Sequence, residues 1–451
     1  MGKKNKSIIY GSLFMTVLLL VAAIFFLCVS AAQKKHENEA IEMEETAANT
    51  EISVSATGTG METETQAADE TVSELTTEVI AESDLETETE KTQESVDSSV
   101  SEDVEELLAS LSLEEKIAQM FIITPEALTG ADTVTAAGET TKSAFEQYPV
   151  GGLVYLTPNI TSESQLLEML TNTLEYSMER LGVPVFLCLD EEGGTVTRIS
   201  GKGVIDVPDI GTMESVGQGE PEDAYETGAV IGSYLSDLLF NVDFAPVADV
   251  ATNPENTVIG SRSFGSDPEK VSQMVASFVE GIQEEGVAAT LKHFPGHGDT
   301  AEDSHTSSAI SYKTIEELRE CEFLPFVSGI EAGCRFIMVG HISLPNVTGD
   351  YTPATLSSQI ITDILREELG YDGIVVTDAM NMAAVTNLYS SGDAAVEAIK
   401  AGADMILMPV DFQSAYASLL AAVQNGTITE ERINESLRRI LTVKIEMKKA
   451  E

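Results

Sequence analysis

The sequence predicts an α/β chain whose main domain is a (β/α)8 barrel, preceded by a transmembrane or signal helix and a disordered acidic tether. Two observations predict the barrel. Eight apolar, strand-like runs alternate with amphipathic helical stretches over about 345 residues. Nearly every later run also ends, on its carboxyl side, in a residue able to do chemistry: Asp190, Asp249, Lys292 with His293, His341 and Asp378. A doubly wound open sheet is the main rival, but it would spread those ends along an edge, whereas a closed barrel gathers them onto one mouth.

The first element, residues 1–32, sets the compartment. Lys3, Lys4 and Lys6 precede a run from Ile8 to Ala32 without one charged side chain. Such a run reads as an export signal or a membrane anchor, and its 25 residues suffice to span a bilayer. Val29-Ser30-Ala31 offers small residues to a signal peptidase, while Cys28 is a third possibility as a lipidation site, disfavoured by the bulky Leu27 before it. In each case the N-terminal segment contacts membrane and the remainder is expected outside the cytoplasm.

Residues 33–103 follow as a linker. Between Glu37 and Glu106 stand 23 acidic residues against one basic residue, Lys91, and no aromatic residue occurs from Gln33 to Ser101. A segment so charged and so poor in large apolar groups cannot offset its ordering entropy, which predicts a self-repelling, disordered tether.

The domain spans residues 104–451. Its strand candidates are Met120 to Thr124, Gly152 to Leu156, Val183 to Asp190, Val242 to Asp249, Val287 to His293, Arg335 to His341, Gly373 to Asp378 and Asp404 to Pro409. Helices are expected between them, as at Ser162 to Leu181 and after the cap and first-turn pair Asp267-Pro268. The last segment, Glu430 to Lys448, sets Ile433, Leu437, Ile440, Leu441 and Ile445 along one face.

Composition narrows the function. With 25 basic and 75 acidic residues the formal charge is −50, a surface that repels phosphate backbones and excludes a nucleic-acid partner. Four cysteines exclude a disulfide framework or a cysteine-rich zinc module. Cys188 falls in a strand and is expected to be packed; Cys321 and Cys334 could pair or remain free thiols.

Four of the five histidines, His293, His297, His305 and His341, fall within 49 residues. His293 and His297 have the i, i+4 spacing of a helical zinc pair, but Pro295 and Gly296 between them oppose a helix, so no metal is expected. For His297 and Asp299 the simpler expectation is a loop whose polar groups satisfy one another.

Five separated blocks carry a resemblance: Asp190-Glu191-Glu192-Gly193-Gly194, Thr195-Val196-Thr197-Arg198, Ser261-Arg262-Ser263-Phe264, the run Lys292 to His305, and Val375-Val376-Thr377-Asp378-Ala379-Met380. Together they resemble glycoside hydrolase family 3, and within it the single-barrel β-N-acetylglucosaminidases that trim peptidoglycan fragments. The likeness spans about Leu111 to Ile445. It implies a retaining exo-hydrolase with a carbohydrate substrate and no cofactor. By position Asp378 is the nucleophile, and His305, backed by Asp303, is the acid/base. A histidine titrating near 6.5 suits both proton transfers, and an aspartate behind it fixes the ring tautomer. The resemblance assigns sugar binding to Asp190, Arg198, Arg262, Lys292 and His293. Gly193 and Gly194 would let the backbone turn tightly beside the substrate. His341 is left between lining the pocket and packing.

The chain departs from the commonest family pattern at Glu191 and Thr195, where Gln and Arg are more usual. The absence of Trp disfavours a long polysaccharide cleft with aromatic platforms and suits a closed exo-type pocket. The end at Glu451, directly after the last barrel helix, leads us to expect no second sandwich domain of the kind many β-glucosidases of the family carry. A β-glucosidase, a glycoside phosphorylase and a non-catalytic wall-binding protein remain the alternatives.

Overall fold

The computed structural model describes residues 100–300 and 309–450. The N-terminal apolar run, the tether up to residue 99, and Asp303 and His305 within 301–308 lie outside the described residues. Among the described residues no helix is long and apolar enough to cross a membrane.

Eight parallel strands form the domain's centre: β1 (Phe121–Ile123), β2 (Gly152–Val154), β3 (Phe186–Leu189), β4 (Val242–Asp243), β5 (Thr290–Phe294), β6 (Phe336–Val339), β7 (Ile374–Thr377) and β8 (Ile406–Leu407). Each falls on one of the eight expected runs, with β5 extending one residue beyond its run, to Phe294. Five pair in the order β8-β1-β2-β3-β4 and three in the order β5-β6-β7. Parallel bridges from Val242 to Ala288 and from Val376 to Met405 join the two sheets at both edges, giving an α/β domain with a barrel-like centre. The strands are buried throughout, as a parallel sheet covered on both faces requires. A short parallel pair, Ala309–Ile310 with Ile342–Ser343, stands just beyond the carboxyl end of β6.

Local chemistry explains where helices start and stop. Ser112 and Glu115 close a capping box on Leu113–Gln119. Ser162 caps Glu163–Leu181, which stops at Gly182 in the left-handed conformation. Asp267 caps the backbone amide of Glu269 and Pro268 opens the helix Pro268–Glu284, as the sequence predicts. In the final helix, Glu430–Ala450, the five residues of the predicted face are all buried. A helix over residues 100–110 packs Val100, Val104 and Leu108, one per turn, against the core.

At the amino-terminal end of the strands a lysine is enclosed in the core. Lys444 is fully buried and donates to Gln119 Oε1 at 2.9 Å and to the Gly151 carbonyl at 2.8 Å, with its ammonium 4.7 Å from the centre of the Phe186 ring. Burial pushes its pKa down to about 7. Cys188, Cys321 and Cys334 are free thiols, so the possible Cys321–Cys334 pair is not formed.

Candidate active site

The carboxyl ends of the strands surround a cleft of about 350 Å³, and Asp190, Arg198, Arg262, Lys292, His293 and Asp378 all line it. Six of the eight predicted site residues therefore meet in one place. The other two, Asp303 and His305, lie outside the described residues.

Asp190 follows β3 directly. Its Oδ2 accepts from Arg198 Nη2 at 2.7 Å and its Oδ1 from Lys292 Nζ at 3.0 Å. Arg198 is carried by the loop that turns at Gly193 and Gly194, whose φ values of 88° and 58° lie in the region glycine favours. A Cβ on Gly193 would meet Ile210, Gly211 and Met213 within 2.9 Å, so the turn packs closely on the 210–213 segment.

The two departures from the commonest family pattern sit in different surroundings. Glu191 is buried, and its carboxylate accepts from the backbone amides of Arg198, Ile199 and Ser200 at 2.6, 3.0 and 2.7 Å and from Tyr234 Oη at 3.0 Å. Its acceptor oxygens shape the loop that presents Arg198. Thr195 is exposed.

Glu192, which the sequence places only within a motif, is a central member of the site. Its side chain is 1% exposed, and it takes Arg262 in a two-pronged contact (Nε to Oε2 at 2.7 Å, Nη2 to Oε1 at 2.8 Å) while Oε1 also meets Lys292 Nζ at 2.5 Å. Burial opposes its ionisation, but Lys292 and Arg262 outweigh that and bring its pKa down to about 2.

Lys292 and His293 are consecutive in β5, yet both line the cleft. Successive strand residues ordinarily point to opposite faces. The register of β5 against β6 slips between Lys292 and Phe294, and this irregularity lets both side chains enter the mouth. His293 Nδ1 meets Asp249 Oδ2 at 2.7 Å, and its Nε2 stands 3.5 Å from Arg262 Nη2. Asp249 is the second functional residue that sequence reasoning passed over, noted only as a strand end.

His297 also lines the cleft, with its ring centre 5.8 Å from that of His293. Its Nδ1 pairs with Thr300 Oγ1 at 2.7 Å, while Asp299 accepts from Ser311 Oγ at 2.6 Å, so these two loop residues find partners other than each other. Burial and the neighbouring His293 lower the His297 pKa. Gly298 lies against the next loop: a Cβ there would sit 1.8 Å from the Val250 carbonyl oxygen.

Asp378 follows β7. Its amide donates to the Val339 carbonyl at 2.9 Å and its Oδ1 accepts from the Ala379 amide at 2.7 Å. Burial raises its pKa, but His341, His293, the Ala379 amide and Lys292 together bring it below the ordinary value, so it is ionised at neutral pH. His341 is fully buried and packs beneath this residue: Nδ1 pairs with Thr355 Oγ1 at 2.8 Å and Nε2 donates to the Ala379 carbonyl at 3.0 Å. Among the described residues no group of His, Cys, Asp and Glu has the arrangement of a metal site.

Comparison with known proteins places this geometry. Residues 112–443 match the family described as Glycosyl hydrolase family 3 N terminal domain. The chain is 35% identical over 329 residues to Beta-hexosaminidase A of Pseudoalteromonas piscicida, an alignment covering 67% of this chain and 54% of that one. It is 35% identical over 266 residues to the Beta-hexosaminidase of Stenotrophomonas maltophilia, covering 57% and 76%. Among solved structures, a glycoside hydrolase family 3 beta-N-acetylglucosaminidase from Paenibacillus superposes with a TM-score of 0.71 at 38% identity, covering 76% of this chain and 64% of that one. The chain thus spans about half the length of the first of these relatives. From residue 112 to residue 443, the chain belongs to glycosyl hydrolase family 3.

Proposed function

We propose that the protein is a retaining, exo-acting β-N-acetylglucosaminidase, with Asp378 as nucleophile and His305, oriented by Asp303, as acid/base. One observation carries the reading. Of the carboxylates lining the cleft, Asp190 and Glu192 are each engaged by cations, and Asp249 behind its wall by a histidine, whereas Asp378, among the described residues, makes no ion pair. An ionised carboxylate with an oxygen left over is what attack on an anomeric carbon requires.

In the proposed reaction Asp190, Arg198, Arg262, Lys292 and His293 hold the terminal sugar. The Asp378 oxygen bonds to the anomeric carbon as the bond to the departing oxygen breaks, and that oxygen takes a proton from the His305 imidazolium. Water, losing its proton to the same imidazole, then cleaves the glycosyl ester. Two inversions give retention. The names of the relatives, beta-hexosaminidase and beta-N-acetylglucosaminidase, support the N-acetyl sugar.

Cell-wall fragments as the source of the substrate, and an extracytoplasmic position held by the N-terminal run, belong to the same proposal. A panel of aryl β-glycosides tests the core of it. The N-acetylglucosaminide should be cleaved fastest; a glucoside or xyloside cleaved faster would replace this reading with a β-glucosidase.

A further inference from the structure

Asp249 sits behind the cleft wall, 1% exposed, and collects three donors from one stretch of chain. His293 Nδ1 approaches Oδ2 at 2.7 Å, the His293 amide approaches both oxygens at 3.2 and 3.3 Å, and the His297 amide approaches Oδ1 at 2.6 Å. The carboxylate is ionised, since these contacts outweigh burial and lower its pKa. An ionised carboxylate only accepts, so Nδ1 must carry the proton. The other ring nitrogen, Nε2, faces the cleft. Arg262 Nη2 approaches it at 3.5 Å, and a guanidinium only donates. Nε2 therefore keeps an acceptor lone pair in a long contact with an N–H donor, which a hydroxyl can enter.

We propose that Asp249 is a positioning residue that fixes His293 as a hydrogen-bond acceptor, and that the Nε2–Arg262 pair selects a free hydroxyl on the terminal sugar. Such a hydroxyl donates to His293 Nε2 and accepts from Arg262, whereas an ether, a fluorine or an esterified oxygen can only accept. The inference rests on the glycosidase reading and refines it: the discrimination is between a donor and an acceptor, not between large and small.

Monodeoxy and monofluoro versions of an aryl N-acetylglucosaminide at C3, C4 and C6 test this. If the wild-type chain fails to cleave the parent glycoside, the glycosidase reading fails, independently of Asp249. If it cleaves the parent, one position should show fluorine losing at least tenfold in kcat/KM, as much as hydrogen does, because neither can donate. Fluorine tolerated within twofold at all three positions overturns the inference on the wild-type protein alone. In Asp249→Asn the amide can donate to Nδ1 and leave the proton on Nε2. The hydroxyl preference at that position should then shrink several-fold, while discrimination at the other two stays. Histidine 15N spectra give a second readout: Nδ1 protonated and Nε2 bare in the wild type, the reverse in the variant. A protonated Nε2 in the wild type, or a general loss of kcat/KM in a folded Asp249→Asn with the hydroxyl preference intact, refutes the assignment.

Discussion

Replacing Glu192 by Gln removes a charge without removing volume, which makes it the cleanest perturbation of the cleft. Lys292 Nζ lies 2.5 Å and Arg262 Nη2 2.8 Å from the same Glu192 oxygen, so the two cations are no more than about 5 Å apart. Without the carboxylate they repel by about 3 kcal/mol at the effective dielectric of about 20 that suits such sites. Titration leads to a similar figure. The Glu192 pKa falls from the ordinary 4.5 to about 2, and that gap corresponds to about 3 kcal/mol. A pKa depressed in the fold means that the unfolded chain binds more protons between about pH 2 and 4.5. This stability is therefore complete above about pH 5 and lost as pH falls toward 2. Urea unfolding of the wild type and Glu192→Gln across pH 3 to 7 should show a deficit of about 3 kcal/mol at pH 7 that narrows steadily on acidification. A deficit below about 1 kcal/mol, or one independent of pH, would mean that Glu192 is not the counter-charge the geometry makes it.

The other expectations concern separate parts of the molecule. Asp378→Asn should keep its circular dichroism and melting profile while kcat on an aryl N-acetylglucosaminide falls by about a thousandfold or more, since an amide cannot form the glycosyl ester; retention of most activity would reassign the nucleophile. His341→Ala removes a fully buried ring bonded to Thr355 and the Ala379 carbonyl, so stability should fall by about 1–3 kcal/mol and kcat should drop with KM little changed; a shift in KM alone would place His341 at the sugar rather than beneath Asp378. Lys444→Met should change the pH dependence of stability. With a pKa of about 7 in the fold against 10.5 ordinarily, the wild type should gain about 2 kcal/mol relative to the variant between pH 7 and 9, because only the unfolded chain still binds that proton; parallel curves would show that Lys444 is not held neutral.

The strands and helix ends were legible because their causes are local. Apolar runs such as Ile374-Val375-Val376-Thr377 fit a strand buried on both faces, and Ser162 with Gly182 or Asp267 with Pro268 mark helix ends through their own backbone preferences. The run Val242 to Asp249 shows the limit. Its strand stops at Asp243, and Pro246, which has no N–H for the ladder, lies just beyond. The site was legible as a set of residue types at strand ends, which is why six of its predicted members meet. Its pairings were not. Asp249 and His293 stand 44 residues apart, and Glu192 and Arg262 stand 70 apart. Nothing in either stretch alone says which carboxylate will take which donor, because that depends on how neighbouring strands and their loops are set against one another. Glu191 and Glu192 make the point most sharply: identical side chains, one residue apart, of which one shapes a loop and the other neutralises two cations.

The triad of Glu192, Lys292 and Arg262 is difficult to explain as a device for stability. Taking three charges out of water costs several kcal/mol apiece, and buried ion pairs replaced together by apolar residues of similar volume are often neutral or stabilising. The barrel has ample apolar material to fill that space, as the phenylalanines of its core show. What the triad supplies is orientation. Glu192 holds Arg262 at two points, Lys292 is held by both Glu192 and Asp190, and Asp190 in turn holds Arg198, so each of these three cations is fixed by a carboxylate before any sugar arrives. In the proposed reaction, polar groups fixed during folding need not reorganise when charge develops at the anomeric carbon, and that is where prearranged dipoles and charges lower a barrier most. The cost falls on the stability of the fold and the benefit on the transition state, which is the pattern expected if these charges are kept for chemistry.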